Sequence, residues 1–453
     1  MSLCKMFGRN SEEDKKQESW KAYISTTTLV TTGLLTLFDT NAPAATLTTA
    51  PYAFLSLSVA LTSDGRKLYV ANRLLPTVSV FLASTIQFLV NISTFSGMSG
   101  PDAVDIIATP LPYKRVYVSN QTSRLLTVLS SETDTFLGNV LLSSPGDQLN
   151  RLSITPDGSK LFVGLNNSGQ VLILDVLSNP AAPVVLASIA VGSTPGMTSI
   201  TPDGKFAYIV ALHSSSLTVV NTQTFSTSSV LLPNSGFFGS SLLPNGTLLF
   251  LVNIMFNSVS IFNLATQSIT QTIALPSPVD GPFWAAATPD SKTVFVIDSG
   301  FPFGNIAPID TATLTVGPIL SSTSTGIYQD IEISPDYSPV ACFTARAIDW
   351  FGCEVEFDAS ESFSPIGTIL SYTWVFGDGS SVETTRPIVC HTYGSHGCFC
   401  VSLQVTNSAG TSTSQVWSSR FMSQLGSHEA LCIKCVDIPF RFLGCFGMCH
   451  DMS

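Results

Sequence analysis

The sequence predicts an all-β protein: a seven-bladed β-propeller, followed by an immunoglobulin-like β-sandwich and a short cysteine-rich tail. A Thr-Pro-Asp-Gly turn and the strand after it recur at intervals of 42–47 residues through most of the chain. The repeat then stops, and nine of the ten cysteines lie between Cys342 and Cys449. A period in the forties with four short strands per unit is typical of propeller blades. The chain therefore contains two parts built on different patterns.

The repeated turn is clearest in SITPDG, which occurs at Ser153–Gly158 and again at Ser199–Gly204. An Asp-Gly corner suits a tight hairpin, because Gly tolerates positive φ and Asp hydrogen-bonds its own backbone. We therefore interpret the hexapeptide as a hairpin corner rather than a catalytic motif. Aligned on this turn, the seven copies have the anchor residues Thr62, Thr109, Thr155, Thr201, Leu243, Thr288 and Ser334.

The two ends of the repeat region complement one another. The strand from Lys21 begins a unit that lacks its first strand, whereas Ile327–Asp336 is a first strand with no unit after it. The strand near residue 330 is therefore predicted to complete the blade begun at residue 21, which leaves no free sheet edge at the junction. The predicted divisions are a polar tail at 1–20, the propeller at 21–338, the sandwich at 339–420 and the cysteine-rich tail at 421–453.

The pieces LYVAN, VYVSN and TPDG resemble the YVTN-type β-propeller repeat, which is common in bacterial and archaeal surface proteins. The resemblance covers about residues 20–338 and implies the fold. It implies little about function, because propellers carry many unrelated activities.

Charge and hydropathy exclude several classes of partner. The net charge is −11 and no Lys/Arg-rich stripe offsets it, so we expect no nucleic-acid binding. No window approaches about 18 uninterrupted apolar residues, so we expect no membrane span. The N-terminal stretch is polar and lacks the apolar core of a secretory signal.

Residues on the first strand of each blade are candidates to line the central channel. The residues that lie four positions before the seven anchors are Ser58, Asp105, Arg151, Met197, Gly239, Trp284 and Asp330. Asp105, Arg151 and Asp330 would form a polar cluster beside Trp284, with Asn150 and Glu332 close in sequence. Two interpretations stay open: an ion pair within a plug of mixed side chains, which we favour, and a ligand site made of these six residues.

Residue counts weaken the enzymatic alternatives. His213 is the one histidine in the predicted propeller, whereas copper-cluster and haem sites need several imidazoles. A lactonase-like hydrolase would need a clustered acid/base or metal set. The aspartates mostly occupy turn positions: Asp64, Asp157, Asp203 and Asp290. We expect no catalytic residues and no cofactor.

The segment after residue 338 contains FDASES, SYTWVFGDGSS, HTYGSHG and VSLQVTN, and it resembles the PKD domain closely. The resemblance implies an immunoglobulin-like sandwich with Trp374 and Tyr393 in its core and a turn at Gly377–Gly379. Val375 stands where the family usually has Asp, which weakens the idea of Asp378 as a metal ligand. PKD modules typically extend or present other domains at cell surfaces, and some contact protein or carbohydrate.

The cysteines of the sandwich are candidate disulfides or cross-links: Cys342, Cys353, Cys390, Cys398 and Cys400. Cys398 and Cys400 are two apart on one predicted strand, about 6.7 Å between Cα atoms, and strand geometry does not converge them. We expect each to pair with a neighbouring strand, with the tail, or with another molecule.

The tail contains a weak zinc candidate made of Cys432, Cys435, Cys445, Cys449 and His450. Paired thiols and an imidazole suit zinc, but the pairs are close together and the segment between them lacks a zinc-ribbon pattern. Disulfides or intermolecular cross-links are the favoured interpretation, with zinc and unmodified thiols as alternatives.

Together these observations predict a non-enzymatic extracellular or cell-envelope protein. The propeller would be a platform for a protein or carbohydrate partner at a cell surface, and the PKD-like domain a spacer or adhesion module. Disulfide-linked multimers stay open. The alternatives are a lactonase-like propeller hydrolase and an intracellular interaction scaffold, the latter suggested by the absence of a recognisable signal peptide.

Overall fold

A computed structural model describes residues 21–438 with internal gaps. The gaps are 28–32, 41–47, 53–55, 64, 74, 84, 95–102, 111–112, 301, 322–325, 335–340, 349–353, 363–368, 396, 408–409, 412–414, 418–421 and 425–431. Only the backbone is described for 48–52, 56, 407, 410–411, 415–417, 422–424 and 432–438.

The strands of the repeat region are short, mostly of five to seven residues, as the spacing of the turns predicts. In chain order the first fifteen are β1 (Lys21–Thr27), β2 (Gly33–Asp39), β3 (Thr48–Tyr52), β4 (Ser56–Leu61), β5 (Lys67–Asn72), β6 (Thr77–Leu82), β7 (Gln87–Ser93), β8 (Ala103–Ala108), β9 (Arg115–Asn120), β10 (Leu125–Ser130), β11 (Thr135–Leu141), β12 (Leu149–Ile154), β13 (Lys160–Leu165), β14 (Gln170–Asp175) and β15 (Val184–Ala190). The next fourteen are β16 (Pro195–Ile200), β17 (Phe206–Ala211), β18 (Ser216–Asn221), β19 (Thr227–Leu231), β20 (Phe237–Leu242), β21 (Leu248–Asn253), β22 (Ser258–Asn263), β23 (Ser268–Ala274), β24 (Pro282–Ala287), β25 (Thr293–Asp298), β26 (Asn305–Asp310), β27 (Thr315–Val316), β28 (Leu320–Ser321) and β29 (Ile327–Ile333).

Within the described residues these strands form seven antiparallel sheets, which are the blades. Blade 1 has the order β29-β1-β2-β3. Blades 2 to 6 are β4–β7, β8–β11, β12–β15, β16–β19 and β20–β23. Blade 7 is β24-β25-β26-β27, with β28 also paired to β26. The first strand of each blade contacts the first strands of both neighbouring blades, and β29 contacts both β24 and β4. The seven sheets therefore form a closed ring, and the predicted propeller is confirmed.

The ring closes through blade 1, as the ends of the repeat predict. β29 pairs antiparallel with β1, so that Ile331 lies opposite Ile24. The amide of Ser334 donates to the carbonyl of Lys21 at 2.7 Å, and the amide of Lys21 donates to Ser334 Oγ at 2.9 Å. One blade thus joins two segments more than 300 residues apart in sequence.

The repeated turn is a hairpin corner, as predicted. Gly158 has φ +66° and donates its amide to the carbonyl of Thr155 at 2.8 Å. Thr155 Oγ1 donates to Asp157 Oδ1 at 2.5 Å and accepts the amide of Lys160 at 3.0 Å. The copy that begins at Thr201 has the same hydrogen bonds. The Thr and Asp side chains therefore satisfy turn backbone that strand pairing leaves without partners.

The core consists of apolar layers between adjacent blades. Between blades 2 and 3, for example, Tyr69 and Ala71 pack against Ile106 and Val116, all at most 1% exposed. Every blade presents apolar side chains on both faces, so no sheet could bury its core residues alone. The second and third strands of the blades accordingly consist almost entirely of buried residues.

The C-terminal part is a β-sandwich. Its strands are β30 (Thr344–Ala347), β31 (Glu354–Asp358), β32 (Ile369–Val375), β33 (Ser381–Thr384), β34 (Ile388–Thr392), β35 (Gly397–Asn407), β36 (Gly410–Thr411), β37 (Gln415–Trp417), β38 (Met422–Gln424) and β39 (Cys432–Ile438). One sheet is β30-β31-β34 and the other is β33-β32-β35-β36, with β39 added to β35; β37 and β38 form a separate pair.

The sandwich core contains Trp374 and Tyr393, both fully buried, as the resemblance implied. The Tyr393 hydroxyl donates to the carbonyl of Phe376 at 3.1 Å. Along β35, Val401 and Leu403 face the core while the side chains at the alternate positions face outward. Core-facing and outward-facing residues therefore alternate along this strand.

No helix in the part of the chain that the structure describes has the length and apolar character needed to cross a membrane.

Close approach of neighbouring blades predicts an intolerance to side chains at two glycines. A Cβ at Gly239 would lie 2.3 Å from the carbonyl oxygen of Phe283, and one at Gly196 would lie 2.2 Å from that of Phe238. The backbone of the neighbouring blade cannot move away without straining its strand. Gly239→Ala should therefore lower the free energy of unfolding by about 1–3 kcal/mol or more. Urea denaturation followed by tryptophan fluorescence measures this.

Gly138→Ala is the matched control, because its Cβ would meet its nearest atom at an ordinary 3.6 Å. We expect that substitution to change stability by about 0.5 kcal/mol or less. Equal effects of the two substitutions would contradict the close approach.

Candidate functional site

The centre of the ring is shaped by a β-bulge in the first strand of every blade. The pairing between first and second strands shifts register at one point in each of β4, β8, β12, β16, β20 and β24, and β29 shifts in the same way against β1. A bulge bends the strand and re-aims a side chain. The first-strand residues left without a partner on the second strand are Leu57, Val104, Asn150, Arg151, Gly196, Met197, Phe238, Phe283 and Gln329.

Two carboxylates meet at one hydroxyl in this centre. Ser58 Oγ, on β4, lies 2.6 Å from Asp105 Oδ1 and 2.6 Å from Asp330 Oδ2. All three side chains are fully buried. The three residues stand at equivalent positions of blades 2, 3 and 1, so the repeat itself brings them side by side.

Each carboxylate also binds the backbone of the next blade. Asp330 Oδ2 accepts the amide of Val59 at 3.0 Å, and Asp105 Oδ2 accepts the amide of Leu152 at 2.7 Å. With the Ser58 contacts, these bonds connect blades 1, 2, 3 and 4 in sequence. Buried carboxylates are costly unless hydrogen-bonded, and amide donors offset that cost. The two aspartates therefore act here as links between blades.

Arg151 connects blade 4 to the far side of the ring. Its Nη1 lies 3.9 Å from Asp105 Oδ1 and donates to the carbonyl of Val104 at 3.4 Å. Its guanidinium carbon lies 4.5 Å from the ring centroid of Trp284 and 5.4 Å from those of Phe238 and Phe283. These rings belong to blades 6 and 7, which are not neighbours of blade 4, so the side chain crosses the centre.

Aromatic rings cover the guanidinium. Phe238 and Phe283 stack with centroids 4.9 Å apart, and Phe283 stacks on Trp284 at 6.0 Å. Arg151 is only 7% exposed. A cation held over aromatic faces away from water gains about 2 kcal/mol or more. The described centre thus contains a polar network on one side and an aromatic cluster on the other.

The six predicted channel residues are placed as follows. Asp105, Asp330, Arg151 and Trp284 lie in one connected group, with Ser58 as the link. Asn150 is buried and donates through Nδ2 to the carbonyl of Pro195 at 2.7 Å, which ties blade 4 to blade 5. Glu332 is buried on β29, opposite Tyr23. Ligand binding by this group stays a prediction.

Sequence reasoning did not include Ser58, Phe238 or Phe283 in the cluster. The sequence did contain an indication for Ser58, because it lies four residues before an anchor of the repeat, as Asp105 and Asp330 do. The two phenylalanines precede that repeat position by one residue, and only the bulge directs them to the centre.

A second polar group lies in the sandwich, at the Gly377–Gly379 turn. Asp378 Oδ1 accepts the amide of Ser380 at 2.9 Å and its hydroxyl at 2.5 Å, and Asp378 Oδ2 lies 2.7 Å from His391 Nε2. The His391 ring stacks on Phe376 with centroids 4.0 Å apart. Burial raises the pKa of Asp378, but the bonds from Ser380 and His391 outweigh it and hold that pKa at about 2. Both carboxylate oxygens therefore have protein partners.

The predicted cysteine sites are only partly described. Cys398 and Cys400 are exposed on β35, and Cys342 and Cys390 are half-buried. Cys432 and Cys435 lie on β39, of which the backbone is described. Cys353, Cys445, Cys449 and His450 lie outside the described residues.

With this geometry in place, comparison with known proteins identifies the C-terminal part. The family model described as "PKD domain" matches residues 337–420. This part of the chain is a PKD domain. Over 98 residues the chain is 38% identical to a microbial collagenase of Vibrio alginolyticus, a match that covers 22% of this chain and 12% of the collagenase. The chain thus matches only a small part of that relative.

The propeller has solved counterparts of low sequence identity. A proposed 6-phosphogluconolactonase of Bacteroides fragilis matches with a TM-score of 0.56 and 15% identity, over 71% of this chain and 99% of its own. A periplasmic gluconolactonase of Pseudomonas aeruginosa matches with 0.56 and 16%, over 70% and 99%. A functionally unknown protein of Desulfotomaculum acetoxidans matches with 0.57 and 14%, over 70% and 99%. At these identities the likeness shows the fold alone.

The position of the Ser58 hydroxyl between Asp105 and Asp330 predicts that its removal lowers the stability of the propeller. Ser58→Ala should lower the free energy of unfolding by about 1–3 kcal/mol, because it removes the hydroxyl that lies within hydrogen-bond distance of two buried carboxylates. Chemical denaturation measures the loss. Ser188→Ala, which removes an exposed 2.9 Å bond to Gln170, should change stability by about 0.5 kcal/mol or less. A Ser58→Ala protein as stable as the control would contradict the linking role.

The Asp378 contacts predict a pH dependence of the PKD domain. The pKa of Asp378 lies below its usual value near 3.8, so its contribution to stability is present above about pH 4 and is lost as the pH falls towards 2. Asp378→Asn should therefore be less stable than the wild type at pH 6, and the two should converge near pH 2. Chemical denaturation of the full chain followed by tryptophan fluorescence measures this difference, with exposed Glu383→Gln as the control. A constant difference across that range would contradict the assignment.

Proposed function

We propose that this chain is a non-enzymatic binding protein of the cell surface or envelope. In this proposal the propeller is a rigid platform for a protein or carbohydrate partner, and the PKD domain is an adhesion or spacer module. The observation that carries the first part is the arrangement at the ring centre. Its two aspartates are fully buried and bound to Ser58 and to backbone amides of neighbouring blades.

General acid/base chemistry requires a carboxyl group that can reach a substrate proton. Asp105 and Asp330 have their oxygens directed at protein donors, and the neighbouring Arg151 is covered by aromatic rings. This arrangement supports a structural role for the residues that a hydrolase would be expected to use. In this proposal the partner therefore binds at the outer surfaces of the blades.

The PKD domain supports a role at the cell exterior and provides a specific ligand to test. Its similarity to part of a microbial collagenase makes collagen fibres a reasonable first ligand. On the outward face of the β32–β35 sheet, exposed Val375 lies directly opposite Ser402. Uncharged Thr373 and Gln404 form another directly opposed pair on the same face. Val375 thus offers an exposed apolar side chain among uncharged neighbours, with Glu383 opposite Thr373 on the next strand, and such a mixed surface suits contact with an extended polymer.

Co-sedimentation of the full chain with insoluble collagen tests the proposal. We expect the wild type to sediment with the fibres and Val375→Asp to lose most of that binding, since it places a charge on the contact face. The PKD family usually has Asp at this position, so the variant should fold. Leu231→Asp, which charges an 81% exposed residue of blade 5, should bind as the wild type does.

Two outcomes of the binding and turnover assays would contradict the proposal. One is the absence of binding to collagen and to a panel of surface polysaccharides. The other is hydrolysis of gluconolactone above the spontaneous rate that is lost in Asp105→Asn, which would establish the lactonase-like alternative. Protection of the protein from added protease in intact cells would favour the intracellular scaffold instead.

A further inference from the structure

The last described strand, β39, extends the PKD sheet and brings a tail cysteine next to one in the domain. β39 pairs antiparallel with β35 from Leu403 opposite Cys432 to Gly397 opposite Ile438. In that register Cys435 lies directly opposite Cys400, and Asp437 lies directly opposite Cys398. The pairing is continuous over seven residues, without a bulge.

Directly opposed residues of an antiparallel pair share a face of the sheet. Their Cα atoms are about 4.5–5.5 Å apart, within the range of about 4.4–6.8 Å found across disulfides. Diagonal neighbours are about 7–8 Å apart, beyond that range. The register therefore selects Cys400, and not Cys398, as the partner for Cys435.

The same register separates the two cysteines of the tail motif. Alternation along a strand places Cys432 and Cys435, three residues apart, on opposite faces of β39. Cys432 is opposite Leu403, which faces the sandwich core, whereas Cys435 is opposite Cys400, which is exposed. This arrangement disfavours one metal ion bound by both, and it places Cys435 on the same face of the sheet as Cys400.

We propose that Cys400 and Cys435 form a disulfide that fastens the C-terminal strand to the PKD domain. An S–S bond forms as the two S–H bonds break, and the two electrons and two protons pass to the disulfide of a thiol–disulfide oxidant, which becomes two thiols. Such an oxidant has access, because Cys400 lies on an exposed face. The bond covers the edge of β35 with a covalently held strand, which protects that edge from pairing with another chain.

This pairing does not depend on the proposed binding role. It concerns how the tail is held, and it assigns one of the predicted cysteine cross-links to a definite intramolecular pair. A protein that fails to bind collagen could still contain the bond, and the two proposals therefore fail separately.

Tryptic mapping of the full chain under non-reducing conditions tests the proposal. The protein is refolded in a glutathione redox buffer, and its remaining thiols are alkylated before digestion. Trypsin cleaves after Lys434 and Arg441, so residues 435–441 form a peptide whose one cysteine is Cys435. We expect this peptide to be disulfide-linked to the fragment 347–420 and to be released by reductant.

Two variants identify the partner within that fragment. Cys400→Ser should abolish the linked species, and Cys398→Ser, on the same face two residues away, should leave it at the wild-type level. Alkylated Cys435 in the oxidised wild type, a link that Cys398→Ser removes, or a link found only in multimers would overturn the proposal. Reduction of the wild type should also make β39 susceptible to protease. Unreduced Cys398→Ser should keep β39 protected.

Discussion

The propeller depends on the pairing of β1 with β29, because this pairing turns seven sheets into a ring. Each blade is apolar on both faces, so each needs a neighbour on both sides to remove those faces from water. An open series would leave two faces exposed, one at each end. The hydrogen bonds between Lys21 and Ser334, at the outer limit of the pairing, hold the closing strand in register. The apolar layers on the two sides of blade 1 are complete only when this blade is.

Closure also determines what can occupy the centre. Seven first strands converge there, and Gly196 and Gly239 are the positions at which adjacent strands approach too closely for a side chain. Arg151, Phe238 and Phe283 lie in the bulges, and Arg151 reaches from blade 4 to the rings of blades 6 and 7. The carboxylates of Asp105 and Asp330 satisfy backbone amides that belong to neighbouring blades. The centre therefore contributes to the cohesion of the ring.

The two parts of the chain obtain their stability in different ways. The propeller relies on repetition, with the same turn and the same apolar layer used in successive blades. The PKD domain relies on one dense core around Trp374 and on a polar contact between Asp378 and His391. Its second sheet continues into β39 beyond the limit of the family match, so the tail belongs to the architecture of the domain. This continuity puts tail cysteines and domain cysteines into one sheet.

The sequence by itself determined the fold class, the number of blades and the closure by the strand near residue 330. Local rules suffice for these features, because an Asp-Gly hairpin, a strand alternation and a fixed period depend on nearby residues. It also pointed to Asp105, Arg151, Trp284 and Asp330 as neighbours, since the repeat gives them equivalent positions. Tertiary structure alone decided the rest. The bulges that direct Phe238 and Phe283 inward are register shifts between the first and second strands of one blade, which the spacing of the repeat does not specify, and the register between β35 and β39 depends on pairing across a long sequence gap.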